Sequence, residues 1–277
     1  MRRRRPTADR LAALRGRTAV VTGASSGIGA AFCRALAAEG LAVVGVARRA
    51  PELGAVVAEV EAAGGRGEAL VADLTTHEGR ERVGERIEGV DVALLVNNAG
   101  VATHGRFADV PVEHSLAMVE LNVSTVVALS KRAVDAFVAR GGGALLNVAS
   151  TSAYKPMAEL VVYGSAKAFV RGFSLGLRQE VRPSGVDVCV VAPGPVRTAM
   201  LEEALGRPIA PVGVIGRLLE RTYFMDADEC VRRSLEGVRR GRAEVVVDPV
   251  DRAVVRLPHG LLERVDAWSL RQLTGGR

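Results

Sequence analysis

The sequence predicts a doubly wound α/β domain, with helices covering both faces of a mostly parallel sheet. Two observations carry this. From Thr18 onward, short β-branched runs alternate with longer stretches of helical periodicity. The runs are also almost continuously apolar, as strands buried on both faces must be. Right-handed crossovers then arrange the strands side by side in one sheet.

Strands are expected at Thr18–Thr22, Leu41–Ala47, Glu68–Ala72, Val90–Val96, Ala144–Val148 and Val186–Val191, with a seventh at Ala243–Val247. Helical patterns fill 27–39, 52–63, 76–88, 112–139 and 163–182, and Gly40, Gly64 and Gly141 stand where a left-handed stop would end three of them. Residues 199–228 and the Arg-dotted apolar stretch after Pro249 fit the alternation less well. No repeat or linker divides the chain. The expected organisation is a basic tail over 1–16 and one catalytic domain over 17–277, carrying a substrate-loop region at 199–228 and an extension at 249–277.

Composition excludes several classes. Of 277 residues, 48% are hydrophobic and 25% charged, enough for a core and too apolar for disorder. No consecutive apolar run approaches the ~18–20 residues that span a bilayer, so an integral membrane protein is not expected. Cys33, Cys189 and Cys230 are odd in number and far apart. They support neither a disulfide framework nor a zinc site, and a reducing, cytoplasmic setting without metal is expected. The net charge of +6 is carried entirely by the first 17 residues, where seven arginines face Asp9. A solvated basic tail on a neutral body argues against a nucleic-acid partner. Only three of the 37 basic residues are lysines: Lys131, Lys155 and Lys167.

Gly23-Ala24-Ser25-Ser26-Gly27-Ile28-Gly29 follows the first strand and opens the first helix. Backbone N–H groups and the helix dipole hold an anion there, and glycines let the chain approach it closely. The turn is therefore a candidate seat for a dinucleotide pyrophosphate, in a Gly-x3-Gly-x-Gly variant of the usual spacing. An acidic residue at the end of the second strand would select NAD; Arg48 and Arg49 stand there instead. Their guanidiniums suit the 2′-phosphate of NADP(H), the alternative being two solvated side chains.

Tyr163 and Lys167 lie one helical turn apart. A phenol titrates near 10, and an adjacent ammonium lowers that value. Reaching ~7 takes about 4 kcal/mol of differential stabilisation. Ser150, at the end of the fifth strand, could hydrogen-bond a substrate carbonyl.

Together with Asn97-Asn98-Ala99-Gly100, Asn122 and Pro193-Gly194…Thr198, these residues resemble the short-chain dehydrogenase/reductase family from about Arg17 to Thr198. The resemblance implies a Rossmann-type seven-stranded fold and an Asn122-Ser150-Tyr163-Lys167 tetrad. Tyr163 is then the general acid/base, Ser150 polarises the carbonyl, and Lys167 assists Tyr163 and binds the nicotinamide ribose. Asn122 holds a water that links Lys167 to a proton relay. It also implies that Asp73 and Leu74 contact adenine, that Asn97, Ala99 and Gly100 line the cofactor floor, and that Pro193, Gly194, Val196 and Thr198 embrace the nicotinamide. A homodimer or homotetramer follows from the same likeness. In one departure, Tyr154 stands where the family often has Gly. It either shapes the substrate pocket or packs beneath a loop. Lys155, Glu159 and His104 either rim the pocket or are solvated loop residues.

The apolar residues of 199–228 point to a lipophilic or bulky carbonyl or alcohol substrate, apart from those facing the core. The stretch after Pro249 could cover the pocket, join a subunit interface or rest on a membrane surface. The expected activity is NADPH-dependent ketone or aldehyde reduction. The alternatives are a β-ketoacyl-thioester reductase, which such an extension disfavours, and a non-catalytic NADP(H)-binding regulator, which an intact tetrad disfavours.

Overall fold

The apolar runs form seven strands, β1 (Thr18–Thr22), β2 (Ala42–Ala47), β3 (Arg66–Val71), β4 (Val92–Asn97), β5 (Gly143–Val148), β6 (Val186–Ala192) and β7 (Glu244–Val246). A computed structural model describes residues 9–198 and 224–255. The strands make one sheet in the order β3-β2-β1-β4-β5-β6-β7, every pair parallel, where a mostly parallel sheet was expected. Alternate side chains divide between two cores. Val21, Leu94, Leu146 and Cys189 join one, and Val20, Leu95, Leu145 and Val188 the other. This two-sided burial is why the central strands read as unbroken apolar runs. β3 departs from that reading: it is an edge strand with Arg66, Glu68 and Ala69 exposed. Charges there discourage pairing with another sheet.

The helices are α1 (Gly27–Ala38), α2 (Ala50–Ala62), α3 (His77–Ile87), α4 (Val112–Val119), α5 (Thr125–Ala139), α6 (Val161–Val181), α7 (Ala227–Arg239) and α8 (Pro249–Val254). Gly40, Gly64 and Gly141 all take positive φ, as their places after α1, α2 and α5 require. The expected helix 112–139 is interrupted by a π turn at Glu120–Ser124, which contains Asn122. By length and composition this stretch is apolar enough to cross a membrane. In the fold, Met118, Leu129 and Phe137 of this stretch are buried.

α7 was not expected. Its apolar stripe, Cys230, Val231, Leu235 and Val238, packs toward α1 but is hidden in sequence among the helix's six charged residues. The tail boundary also moves. Leu11 is fully buried in the first core, Leu14 packs against it, and Arg10 N donates to the Arg239 carbonyl at 3.3 Å. The fold therefore begins by Asp9 rather than Arg17, since the charge count overlooked two leucines three residues apart, Leu11 capping and Leu14 ending a short 3₁₀ turn, Ala12–Leu14. Most of the expected loop region 199–228, all of 256–277 and residues 1–8 lie outside the described residues.

Candidate active site

Sheet winding reverses between β1 and β4, and the C-terminal ends of these neighbours open the crevice where such folds bind ligands. Two turns fill it, Thr22–Gly29 after β1 and Asn97–Gly100 after β4. Thr22 Oγ1 accepts from Asn98 N and Ala99 N, both at 3.0 Å, while Asn98 Nδ2 donates to Thr22 O at 2.9 Å. Sequence reasoning missed Thr22 and Asn98 as this staple. The available signal was an amide able to serve the turn's backbone acceptors.

The phosphate turn is shaped for an anion. A Cβ on Gly29 would sit 2.1 Å from the Gly23 carbonyl oxygen, so only glycine permits the helix to start here. Gly27 has φ +54, and a Cβ on it would lie 2.9 Å from Thr198 Cγ2. Thr198 thus closes over the first turn of α1, whose leading N–H groups have no intrahelical acceptor. Ile28 packs back against the core.

Arg49 Nη2 donates to Ser25 Oγ at 3.1 Å and Ser26 Oγ at 3.0 Å, joining the β2 end to the phosphate turn. Arg48 lies 3.8 Å from Asp73. Partial burial raises the Asp73 carboxyl, but hydrogen bonds from Thr75 N and Oγ1, with Arg48 adding to them, bring it below its ordinary value. The Arg48 side chain is 62% exposed and that of Arg49 53%, open to a further anion.

Three of the expected cofactor residues turn their side chains inward. The Asn97 side chain is buried, donating to Asn147 Oδ1 at 2.9 Å and Ser130 Oγ at 3.1 Å in a polar network inside the fold, because β4 turns it away from the crevice. Leu74 and Val196 bury their side chains in the two cores, leaving only backbone at the crevice. Pro193 O accepts from Thr151 N at 2.8 Å. A Cβ on Gly194 would lie 2.0 Å from Asp251 Oδ2, so the described start of the C-terminal extension rests on this loop.

The catalytic candidates converge. Gly100 brings β4 against them: a Cβ there would stand 3.0 Å from Asn122 Oδ1 and 3.5 Å from Lys167 Nζ. Asn122 is fully buried, and its amide exchanges hydrogen bonds with Val101 N and O at 3.0 and 2.8 Å. Ser150 Oγ accepts from Ser152 N at 3.2 Å and is hydrogen-bonded to Tyr163. Lys167 is buried, its Nζ donating to the Val148 carbonyl at 2.9 Å and lying 5.8 Å from the centroid of the Tyr163 ring.

The electrostatics differ from expectation. Burial pushes the Lys167 ammonium down to about 8. Burial also holds the Tyr163 phenol above its ordinary value, and the Ser150 hydrogen bond only partly opposes it.

Of the two expectations for Tyr154, the contacts fit packing beneath a loop. Its hydroxyl donates to Glu244 Oε1 at 2.8 Å, and the Arg171 guanidinium stacks 4.4 Å over its ring. His104 Nε2 reaches Glu159 Oε2 at 3.1 Å, and Gly105 N donates to Glu159 O at 2.9 Å. These bonds bridge the loops after β4 and before α6. They hold Glu159 at φ +63, a conformation costly for a residue with a side chain.

Residues 17–207 match the short chain dehydrogenase family. The chain belongs to that family. This short-chain dehydrogenase is 33% identical over 189 residues to human 17-beta-hydroxysteroid dehydrogenase type 3, covering 67% of this chain and 61% of that one. It is 34% identical over 191 residues to the very-long-chain 3-oxoacyl-CoA reductase of Anas platyrhynchos, with the same coverages. The chain thus spans little more than three fifths of these curated relatives. Among solved structures, a short-chain dehydrogenase from Sphingobium yanoikuyae in complex with NADPH superposes with a TM-score of 0.77, at 30% identity, over 94% of this chain and 96% of that one.

Proposed function

We propose that this short-chain dehydrogenase is an NADPH-dependent reductase of lipophilic or bulky ketones and aldehydes. The observation that carries the reading is the convergence of Asn122 and Lys167 beside Gly100, with the Tyr163 ring 5.8 Å from the Lys167 ammonium one turn back along α6 and Ser150 just past the end of β5. The glycine cradle and the Arg48–Arg49 pair fit a dinucleotide bearing a 2′-phosphate. NADPH, when bound, supplies the hydride.

The chain's own groups handle the proton and the developing charge. Ser150 Oγ hydrogen-bonds the substrate carbonyl oxygen and draws electron density toward it. Tyr163 donates its phenolic proton to that oxygen as negative charge builds there. A phenol kept protonated by burial is ready for this direction. The buried Lys167 ammonium stabilises the phenolate left behind.

The test is NADPH oxidation with a panel of ketones, aldehydes and acyl-thioesters, comparing the parent with Tyr163→Phe. The variant is expected to lose activity by about 10²–10⁴-fold while binding NADPH normally. Cofactor binding without reduction of any carbonyl by either form would instead favour a regulator. The likeness to a 3-oxoacyl-CoA reductase favours a second reading, β-ketoacyl-thioester reduction, and turnover confined to the thioesters would select it. A homo-oligomer is part of the proposal, supported by exposed Leu116, Val127 and Phe169 on the neighbouring helices α4, α5 and α6. So is a reducing, cytoplasmic setting, supported by three free, buried cysteines.

A further inference from the structure

At the opposite edge of the sheet, where the strands begin, lies a cavity of about 400 Å³. Gly143, at its wall, starts the strand that ends beside Ser150, so the two sites stand on the order of 20 Å apart. Arg10, Arg17, Arg140, Arg178 and Arg242 line the cavity, and Asp187 is the only carboxylate among its lining residues. The turns Gly141–Gly143, Gly185 and Gly241 put no side chains into its mouth.

The charges are not balanced internally. Arg17 donates to the carbonyls of Val90 and Asp91, and Arg140 to those of Glu88, Gly89 and Val92. Carbonyls orient a guanidinium but do not neutralise it. Asp187 is divided between an ion pair with Arg10 and Arg178 at 3.8 Å. Arg178 is only 10% exposed, and burial lowers its pKa even with Asp187 beside it. Arg242 is exposed, with no side-chain partner among the described residues.

We propose that this cavity binds a small, multiply charged phosphate anion, on the sheet edge remote from the catalytic crevice. Guanidinium forks match phosphate oxygens in pairs, and several around one cavity select a di- or pyrophosphate over a single carboxylate. The volume accommodates a pyrophosphate or the headgroup of an anionic phospholipid, which share this chemistry.

The experiment is calorimetric titration of inorganic pyrophosphate into the full chain saturated with NADP⁺, so that the phosphate turn of α1 is already filled. One saturable site is expected. Arg242→Glu should weaken it by about tenfold or more, the worth of a charge-assisted hydrogen bond, with carbonyl reduction unchanged. Asp187→Asn, which frees two guanidiniums, should tighten it. A parallel arm sediments the chain with phosphatidylcholine vesicles carrying phosphatidic acid. Capture competed by pyrophosphate identifies a lipid source, and pyrophosphate binding without capture identifies a soluble one. Absence of binding in both arms, or an affinity indifferent to Arg242→Glu, overturns the proposal.

Discussion

The Tyr154 hydroxyl donates to Glu244 Oε1 at 2.8 Å, tying the turn that follows Ser150 to the edge strand β7. Arg171, one turn beyond Lys167 on α6, completes the clamp with its Nε 2.5 Å from the same oxygen. Burial and the Glu244 hydrogen bond push the Tyr154 phenol up to about 12, so it remains a donor throughout the working range. A side chain committed in this way braces the Ser150 turn against β7 and α6.

Tyr154→Phe is accordingly expected to cost about 1–2 kcal/mol of stability, since it leaves a half-buried carboxylate one donor short. The KM for the carbonyl should stay within about twofold, because one lost hydrogen bond away from substrate changes no binding contact. Urea denaturation and steady-state kinetics read the two effects separately. A several-fold rise in KM at unchanged stability would return Tyr154 to the pocket.

Arg48 and Arg49 differ in what they hold, and their substitutions should differ too. Arg49 binds Ser25 and Ser26 of the phosphate turn, whereas Arg48 faces Asp73 alone. Arg48→Ser should raise the KM for NADPH by about tenfold with little effect on NADH, as expected for one charge-assisted contact to a 2′-phosphate. Arg49→Ser should weaken both dinucleotides, because it also loosens the turn beneath the pyrophosphate. Equal effects of Arg48→Ser on both cofactors would sink the assignment of NADP(H).

The legible parts of the site were those set by local spacing. Tyr163 and Lys167 share a helical face because four residues make about one turn, and Gly29 announces close backbone approach by lacking a side chain. Contacts across strands were not legible in that way. Whether Asn97 or Asn98 faces the crevice depends on which neighbour β4 turns inward, and the two read alike in sequence. Leu11 and α7 were hidden for another reason. Their few apolar residues sit among arginines and glutamates, and burial was decided by packing against the sheet and α1 rather than by average polarity. Nor does spacing reveal that the Lys167 ammonium binds Val148 O.

The apolar side chains exposed on α4, α5 and α6 bear on assembly. Phe169 is 43% exposed and stacks on Phe173 at 5.8 Å, presenting a paired aromatic surface on α6. If copies of the chain meet there, Phe169→Glu places a desolvated charge in the interface and dissociates them. Light scattering behind a sizing column should then show the parent as an oligomer and the variant as a monomer, with its helical content unchanged. A variant that keeps the parent's mass would move the interface elsewhere.

Lys167 should leave a signature in stability as a function of pH. In the unfolded chain it titrates near 10.5, and in the fold burial brings it down to about 8. Below pH 8 both states hold the proton, and the full cost of burying the ammonium opposes folding. Between pH 8 and 10.5 the folded protein has released a proton that the unfolded chain retains, so stability rises with pH. The shift corresponds to about 3 kcal/mol. Lys167→Met has no such proton to release. The unfolding free energy of the parent minus that of the variant should therefore climb by about 3 kcal/mol across this window, measured by urea denaturation at several pH values. At pH 7 the inactive variant should equal or exceed the parent in stability, because a catalytic ammonium is held where an apolar side chain would cost less. A pH-independent difference would mean that Lys167 remains solvated and that its proximity to the Tyr163 ring is not a buried contact.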